Sequence, residues 1–297
     1  MAAALVHPPL DYDPADKLKF EYATPSSRLW PTNYSKFSVN TMFTLFFGGE
    51  IWCPNTVTPS GENVGKVLRQ AWINAYSYLA SRLKDLDCII GYDVMNEPWP
   101  GYIGLDSLDE FDQTTNLHLG PMPSGVQGMA LAGGYTVEDV PYFTRSWPQP
   151  SKHTHDVIVN SDRVNSWTRK DIWRELGVYE VDEDTGRIKY GPKGKHYFKF
   201  HPVTGQPVSF EADFYVPFVR EFQKAIHVAL KGGKSGNWIF VEPIPNLPPP
   251  TMTTDDKFLE SSEVVETEKL VYCPHWYDIR VIFEKVLLFR STYFLLR

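Results

Sequence analysis

Apolar residues recur at steps of three and four between Asn63 and Leu86: Val64, Val67, Leu68, Ala71, Trp72, Ala75, Tyr76, Leu79 and Leu83. That spacing lays them along one stripe of a helix. A second helical stripe runs from Asp213 to Leu230 through Val216, Val219, Phe222 and Ile226, with Asp213 as N-cap and Gly232-Gly233 as the stop. Shorter apolar runs predict strands at 88–94, 238–241 and 270–273. The run 41–49 (TMFTLFFGG) is apolar enough to be buried, but its length does not decide between helix and strand.

The three predicted strands end alike. The first runs into Gly91-Tyr92-Asp93-Val94-Met95-Asn96-Glu97-Pro98, the second into Glu242-Pro243, and the third into Pro274-His275-Trp276-Tyr277-Asp278. Proline has no N–H to give a sheet ladder, so each strand stops there. A helix followed by a strand is the unit of an α/β fold. Polar groups delivered at the C-terminal ends of successive strands describe the functional face of a (β/α) barrel. The intervening residues 99–212 form a long insertion. Its first half is rich in Gly, Pro, Ser and Asp and reads as irregular surface. Its second half carries Trp167, Trp173 and Tyr179, then a turn at 182–186. Insertions of that length form lids or substrate walls.

Composition narrows the function classes. An apolar fraction of 42% with 22% charged residues is that of a globular protein of one large or two smaller domains. A net charge of −7 with no basic stripe argues against a nucleic-acid partner. No apolar stretch reaches the ~20 residues of a membrane helix, so stable membrane insertion is not expected. The segment 281–296 is apolar but broken by Glu284, Lys285 and Arg290, as in an amphipathic helix. Cys53, Cys88 and Cys273 are odd in number and widely spaced, which predicts buried free thiols in a reducing compartment. With no signal-type apolar region at Met1–Val6, the expected location is cytoplasmic. His153-Thr154-His155 is a lone pair in a polar stretch, and no metal or other cofactor is expected.

Glu97 carries the candidate chemistry. A carboxyl at a strand end can protonate a glycosidic oxygen, and the neighbouring Asn96 amide can bond a sugar hydroxyl. The aromatic-rich composition supplies flat faces both for a core and for stacking on sugar rings.

At this point the chain resembles glycoside hydrolase family 5, within the clan of retaining (β/α)8-barrel glycosidases. Asn96-Glu97-Pro98 is similar to the acid/base motif at the end of barrel strand 4, and His275-x-Tyr277 to the His-x-Tyr at the end of strand 6. More closely, the chain resembles the fungal β-glucosidases of glucosylceramide and steryl glucosides. The segments are 30–34 (WPTNY), 41–49, Asn96-Glu97-Pro98 with 101–104 (GYIG), Trp173-Arg174-Glu175 with Gly177-Val178, and 240–243 (FVEP), so that the match spans about residues 28–278. The resemblance implies a TIM-barrel fold and a retaining hydrolysis of glucosyl lipids. It implies Glu97 as the general acid/base and Asn96 on the 2-hydroxyl of the sugar. His275 and Tyr277 orient the nucleophile and the anomeric region, and Glu242 touches substrate. Trp276 and Trp99 are candidates for stacking.

The resemblance also implies a nucleophilic glutamate at the end of strand 7, one helix beyond His-x-Tyr. Only 19 residues follow Asp278, too few for that crossover. Nothing before residue 28 resembles strands 1 to 3. The expectation is therefore a single partial barrel domain over 1–297, holding strands 4–6, with an irregular start at 1–27, the insertion at 99–212 and an atypical tail at 279–297. Such a chain is expected to be inactive alone. Two other readings stay open: a non-catalytic carbohydrate- or glycolipid-binding homologue, and an α/β protein whose Asn96-Glu97-Pro98 is only a strand-ending turn.

Overall fold

The computed structural model describes residues 36–110, 120–146, 151–168, 170–182, 184–245, 247–252 and 269–275. The resemblance segment at 30–34, Trp276, Tyr277 and the apolar tail lie outside the described residues.

The apolar run at 41–49 belongs to a helix, α1 (Phe37–Trp52), buried on nearly every side. Burial all round explains why it shows no one-sided pattern. Three of its buried side chains are polar, and each is partnered: Asn40 accepts from the Trp99 indole at 3.0 Å, Thr41 from the Trp173 indole at 3.0 Å, and Thr44 from the Tyr102 N–H at 2.8 Å. All three donors come from the long insertion, so α1 is the post to which the insertion is tied.

Helix α2 (Val64–Leu83) starts where expected, because Asn63 caps it by accepting the Gly65 N–H at 2.9 Å. Its buried line differs from the predicted stripe. Val64, Ile73 and Ala80 are buried, whereas Ala71, Ala75 and Leu79 are exposed. The face is set by aromatic contacts, Trp72 with Phe46 of α1 and Tyr76 with Phe222, which turn the helix away from the simple stripe. The helices approach closely at Gly49 and Gly65, where a Cβ on Gly65 would lie 2.4 Å from the Leu45 carbonyl oxygen.

Strand β1 (Gly91–Asp93) is shorter than predicted. Cys88 is exposed and Ile90 is 65% exposed, so the apolar run does not begin inside the sheet. Nor are the three thiols all buried: Cys53 is, Cys273 is half-buried and Cys88 is not.

The insertion is largely structured among the described residues, and its first half is not the irregular surface its composition predicts. Trp99, Tyr102, Ile103, Leu105 and Leu108 are buried in the core. A short strand β2 (Gly120–Pro121) and helix α3 (Gly125–Ala132) follow, the latter with a Ser124/Gln127 capping box. Strands β3 (Val137–Arg145) and β4 (Ser151–Val159) join β2 in an antiparallel sheet, placing His153 and His155 on an exposed strand. A short helix, α4 (Ile172–Glu175), leads to the hairpin of β5 (Tyr179–Val181) and β6 (Ile188–Tyr190), whose turn falls at the predicted 182–186. Gly and Pro marked turns there, but long-range packing on α1 decided what is buried.

A five-residue wide turn at Glu211–Tyr215 opens helix α5 (Val216–Ala229). Asp213 therefore does not cap the helix. It lies within the wide turn, and its carboxylate accepts the Ser209 N–H at 2.7 Å. The predicted face, Val216, Val219, Phe222, Ile226 and Leu230, is buried. Strands β7 (Trp238–Val241) and β8 (Leu270–Tyr272) complete a parallel sheet in the order β1-β7-β8, with Asp93 opposite Phe240 and Val241 opposite Tyr272. This is an α/β arrangement with a three-stranded parallel sheet and no closed barrel among the described residues. Among the described residues, no helix is long and apolar enough to cross a membrane.

Candidate active site at the ends of three parallel strands

Parallel pairing brings the C-terminal ends of β1, β7 and β8 to one edge. The segments beyond them carry Asn96-Glu97, Glu242 and His275 to the same place. The loop after β1 is held by the Trp72 indole, which donates to the Val94 carbonyl at 3.0 Å, and by the Val94 N–H, which donates to the Phe240 carbonyl at 3.0 Å.

Glu97 sits at φ 46, in the left-handed region that side chains other than Gly and Asn rarely adopt. Its N–H donates to Glu242 Oε2 at 2.6 Å. A charge-assisted bond of that length offsets the backbone cost, of order 1–2 kcal/mol. Strain of this kind concentrates where a side chain must be aimed. The aim here is toward His275, whose Nδ1 lies 2.9 Å from Glu97 Oε1 while its Nε2 lies 3.0 Å from Glu242 Oε1. The Glu242 side chain is 5% exposed, Glu97 11% and His275 32%, so the cluster opens to solvent on the imidazole side. The Tyr215 hydroxyl donates to the Glu242 main-chain carbonyl at 2.8 Å and fixes that strand end from below.

An imidazole bonded through both nitrogens to carboxylates is favoured as imidazolium, since an ionised carboxylate only accepts. The hydrogen bond to Glu97 raises the His275 pKa, with Glu242 adding to it. Burial raises Glu242, with Asp93 adding to it. Burial also raises Asp93, whose carboxyl accepts the Met95 N–H at 2.9 Å and hydrogen-bonds the Glu242 side chain. Three carboxyls and one imidazole thus share a small set of protons, with Glu97 in contact with a proton-bearing ring. That arrangement can deliver a proton at Glu97 Oε1 and take it back.

The structure brings together Glu97, Glu242 and His275 of the expected residues. Asn96 is exposed at the mouth of the same loop. Trp99 is 2% exposed, with its indole bonded to Asn40, so its ring offers no open face to a sugar. Glu242 is spent on His275 and the Glu97 backbone rather than turned toward a ligand. Asp93 was missed by sequence reasoning. The signal was present as one acidic residue inside an otherwise apolar strand. Among the described residues no group of three His, Cys, Asp or Glu is placed to hold a metal ion. The largest cleft, about 900 Å³, lies within the insertion between Gln127, Tyr135, Arg163, Arg187 and Tyr190, away from the four clustered side chains.

No protein-family model matches the chain. It is 38% identical over 269 residues to a glucosylceramidase of Rhizopus delemar, a match covering 91% of the chain and 37% of that protein. It is 28% identical over 277 residues to the ergosteryl-β-glucosidase of Saccharomyces cerevisiae, covering 84% of the chain and 34% of that protein. The crystal structure of Cryptococcus neoformans sterylglucosidase 1 superposes with a TM-score of 0.75 at 23% identity, over 95% of this chain and 40% of that one. The chain thus spans little more than a third of the length of the curated relatives it matches. Over the part they share, it is a homologue of the fungal glucosylceramidases and steryl β-glucosidases.

Proposed function

We propose that this chain is the acid/base-bearing part of a retaining family 5 β-glucosidase that cleaves glucosyl lipids, and that its parallel strands β1, β7 and β8 correspond to strands 4, 5 and 6 of a (β/α)8 barrel. The observation that carries the proposal is the contact between Glu97 Oε1 and His275 Nδ1 at the ends of parallel strands. The names of the relatives, glucosylceramidase and ergosteryl-β-glucosidase, favour glucosyl lipids as the substrate class.

In this reading Glu97 protonates the glycosidic oxygen and then activates water. Asn96 bonds the 2-hydroxyl, and Tyr277 and Trp276 border the sugar. The reaction also needs a nucleophilic carboxylate about 5–5.5 Å from the acid. Glu242 does not serve, because both its oxygens are engaged below the imidazole. These 297 residues by themselves are therefore expected to bind a glucosyl lipid without turning it over.

Calorimetric titration of the purified chain with glucosylceramide in detergent tests this. Saturable binding, weakened about tenfold in Asn96→Ala, supports the reading, since one hydrogen bond to a sugar hydroxyl is worth about 1.4 kcal/mol. Absence of binding overturns it. Turnover of an aryl β-glucoside that Glu97→Gln abolishes supports glycosidase chemistry and overturns the inactivity of the isolated chain.

A further inference from the structure

Asp93 and Glu242 stand on neighbouring parallel strands, Asp93 paired with Phe240 and Glu242 two residues further along. Their side chains hydrogen-bond one another. Two ionised carboxylates have no proton to place between them, so such a contact exists only when one is protonated. Glu242 receives two further N–H donors, from Glu97 and from His275, whereas Asp93 receives one, from Met95. The charge therefore belongs on Glu242 and the proton on Asp93.

We propose that Asp93 is a positioning residue for the acid/base: it lends a proton to the Asp93–Glu242 pair, so that Glu242 keeps one negative charge with which it holds both the Glu97 backbone and the His275 ring. The inference rests on the functional reading above only for what Glu97 does, not for the pair itself. When the shared proton leaves, two adjacent carboxylates repel, Glu242 is pushed from the Glu97 N–H, and the left-handed backbone at Glu97 loses its support. The pair thus sets an alkaline limit on the geometry of the acid/base.

The other ionisable groups facing the pair do not compete for this role. Tyr76 on α2, Tyr215 below Glu242 and Cys273 after β8 are each raised by burial, with the Asp93 charge adding to it, and so remain neutral at neutral pH. His275 and Glu97 close the remaining side. Burial raises both Asp93 and Glu242 in the same direction as the shared proton requires.

Carbon-13 NMR of the carboxyl groups in the 297-residue chain, labelled at Asp and Glu, tests the inference without requiring hydrolysis. In the native sequence the pair should release its shared proton above the ordinary carboxylate range of about 4. Asp93→Asn, whose amide can donate to Glu242 as the protonated carboxyl does, should lower the Glu242 midpoint by about one pH unit or more. It should also extend glycolipid binding to higher pH, whereas Asp93→Ala should weaken binding at every pH. Ordinary titration of both groups in the native sequence overturns the inference even if neither variant folds. An unmoved Glu242 midpoint in a folded Asp93→Asn overturns it too. Glycolipid binding with both groups titrating normally overturns the pair alone. A raised pair in a chain that binds no glycolipid overturns the functional reading and supports the pair.

Discussion

Glu97 and Glu242, 145 residues apart, meet through a 2.6 Å bond from the backbone N–H of one to the carboxylate of the other. The bond joins two neighbouring strand ends and supports the left-handed backbone that aims Glu97 at His275. Removing Glu242 therefore does more than delete one side chain. Glu242→Ala leaves the Glu97 N–H and one imidazole nitrogen without their acceptor in a buried place. The expected loss is about 3 kcal/mol of stability, read as a lower urea midpoint at unchanged slope. A surface control, Glu180→Ala on the exposed position of β5, should move the midpoint by no more than about 0.5 kcal/mol.

How much of this was legible in the sequence depends on the range of the forces involved. Strand β7 coincides with its predicted run, because Trp238 to Val241 are strong strand formers and Pro243 ends them. Helix α1 could not be read from periodicity, since a helix buried on all sides has no polar face, and its Asn40, Thr41 and Thr44 are polar only to receive distant donors. The misread half of the insertion has the same cause. Gly and Pro report local turns, while Trp99 and Tyr102 are buried by contacts made 58 or 59 residues away. At the site, the strand-ending carboxylates were visible as motifs. The sharing of a proton by Asp93 and Glu242 was not, because alternation along β1 does not reveal which residue stands beside it on β7.

Stability should fall as pH rises through the neutral and alkaline range. His275, Asp93 and Glu242 all hold their protons more tightly in the folded chain. The unfolded chain then binds fewer protons, and the slope of stability against pH is negative. The contribution of His275 is fully present below the ordinary imidazole value of about 6.5 and is lost as pH rises through its raised folded value. Asp106 and Asp109, lowered by hydrogen bonds from Lys199 and Tyr190, act the opposite way and only at acid pH. Urea midpoints measured from pH 6 to 9 should decline, and His275→Asn should flatten the decline. A flat native profile would contradict the cluster.

Gly101 follows the Trp99-Pro100 step that docks the insertion on α1. Its φ is +64, and an added Cβ would lie 2.5 Å from both the Asn40 carbonyl oxygen and Thr44 Oγ1. Gly194 has a similar φ of +74 but open space around it. Gly194→Ala should cost about 1 kcal/mol, the conformational term alone. Gly101→Ala should cost about 3 kcal/mol, because backbone must also move. Equal losses would show that the contact with α1 is slack.

Trp173 tests whether the second half of the insertion is bonded to α1 or merely packed against it. The ring is fully buried beside Tyr102 and Phe198, and its indole donates to Thr41 Oγ1 at 3.0 Å. Trp173→Phe keeps most of the aromatic packing and removes the donor. Thr41→Val keeps the shape and removes the acceptor. Each single change strands one buried polar group and should cost about 1–3 kcal/mol. The double variant strands neither, so its cost should be smaller than the sum of the two by about 1 kcal/mol. Strictly additive losses in a double-mutant cycle would mean that the indole and the hydroxyl are near but not coupled. The insertion would then rest on α1 through its aromatic faces, and the Asn40 and Thr44 bonds would have to carry its register.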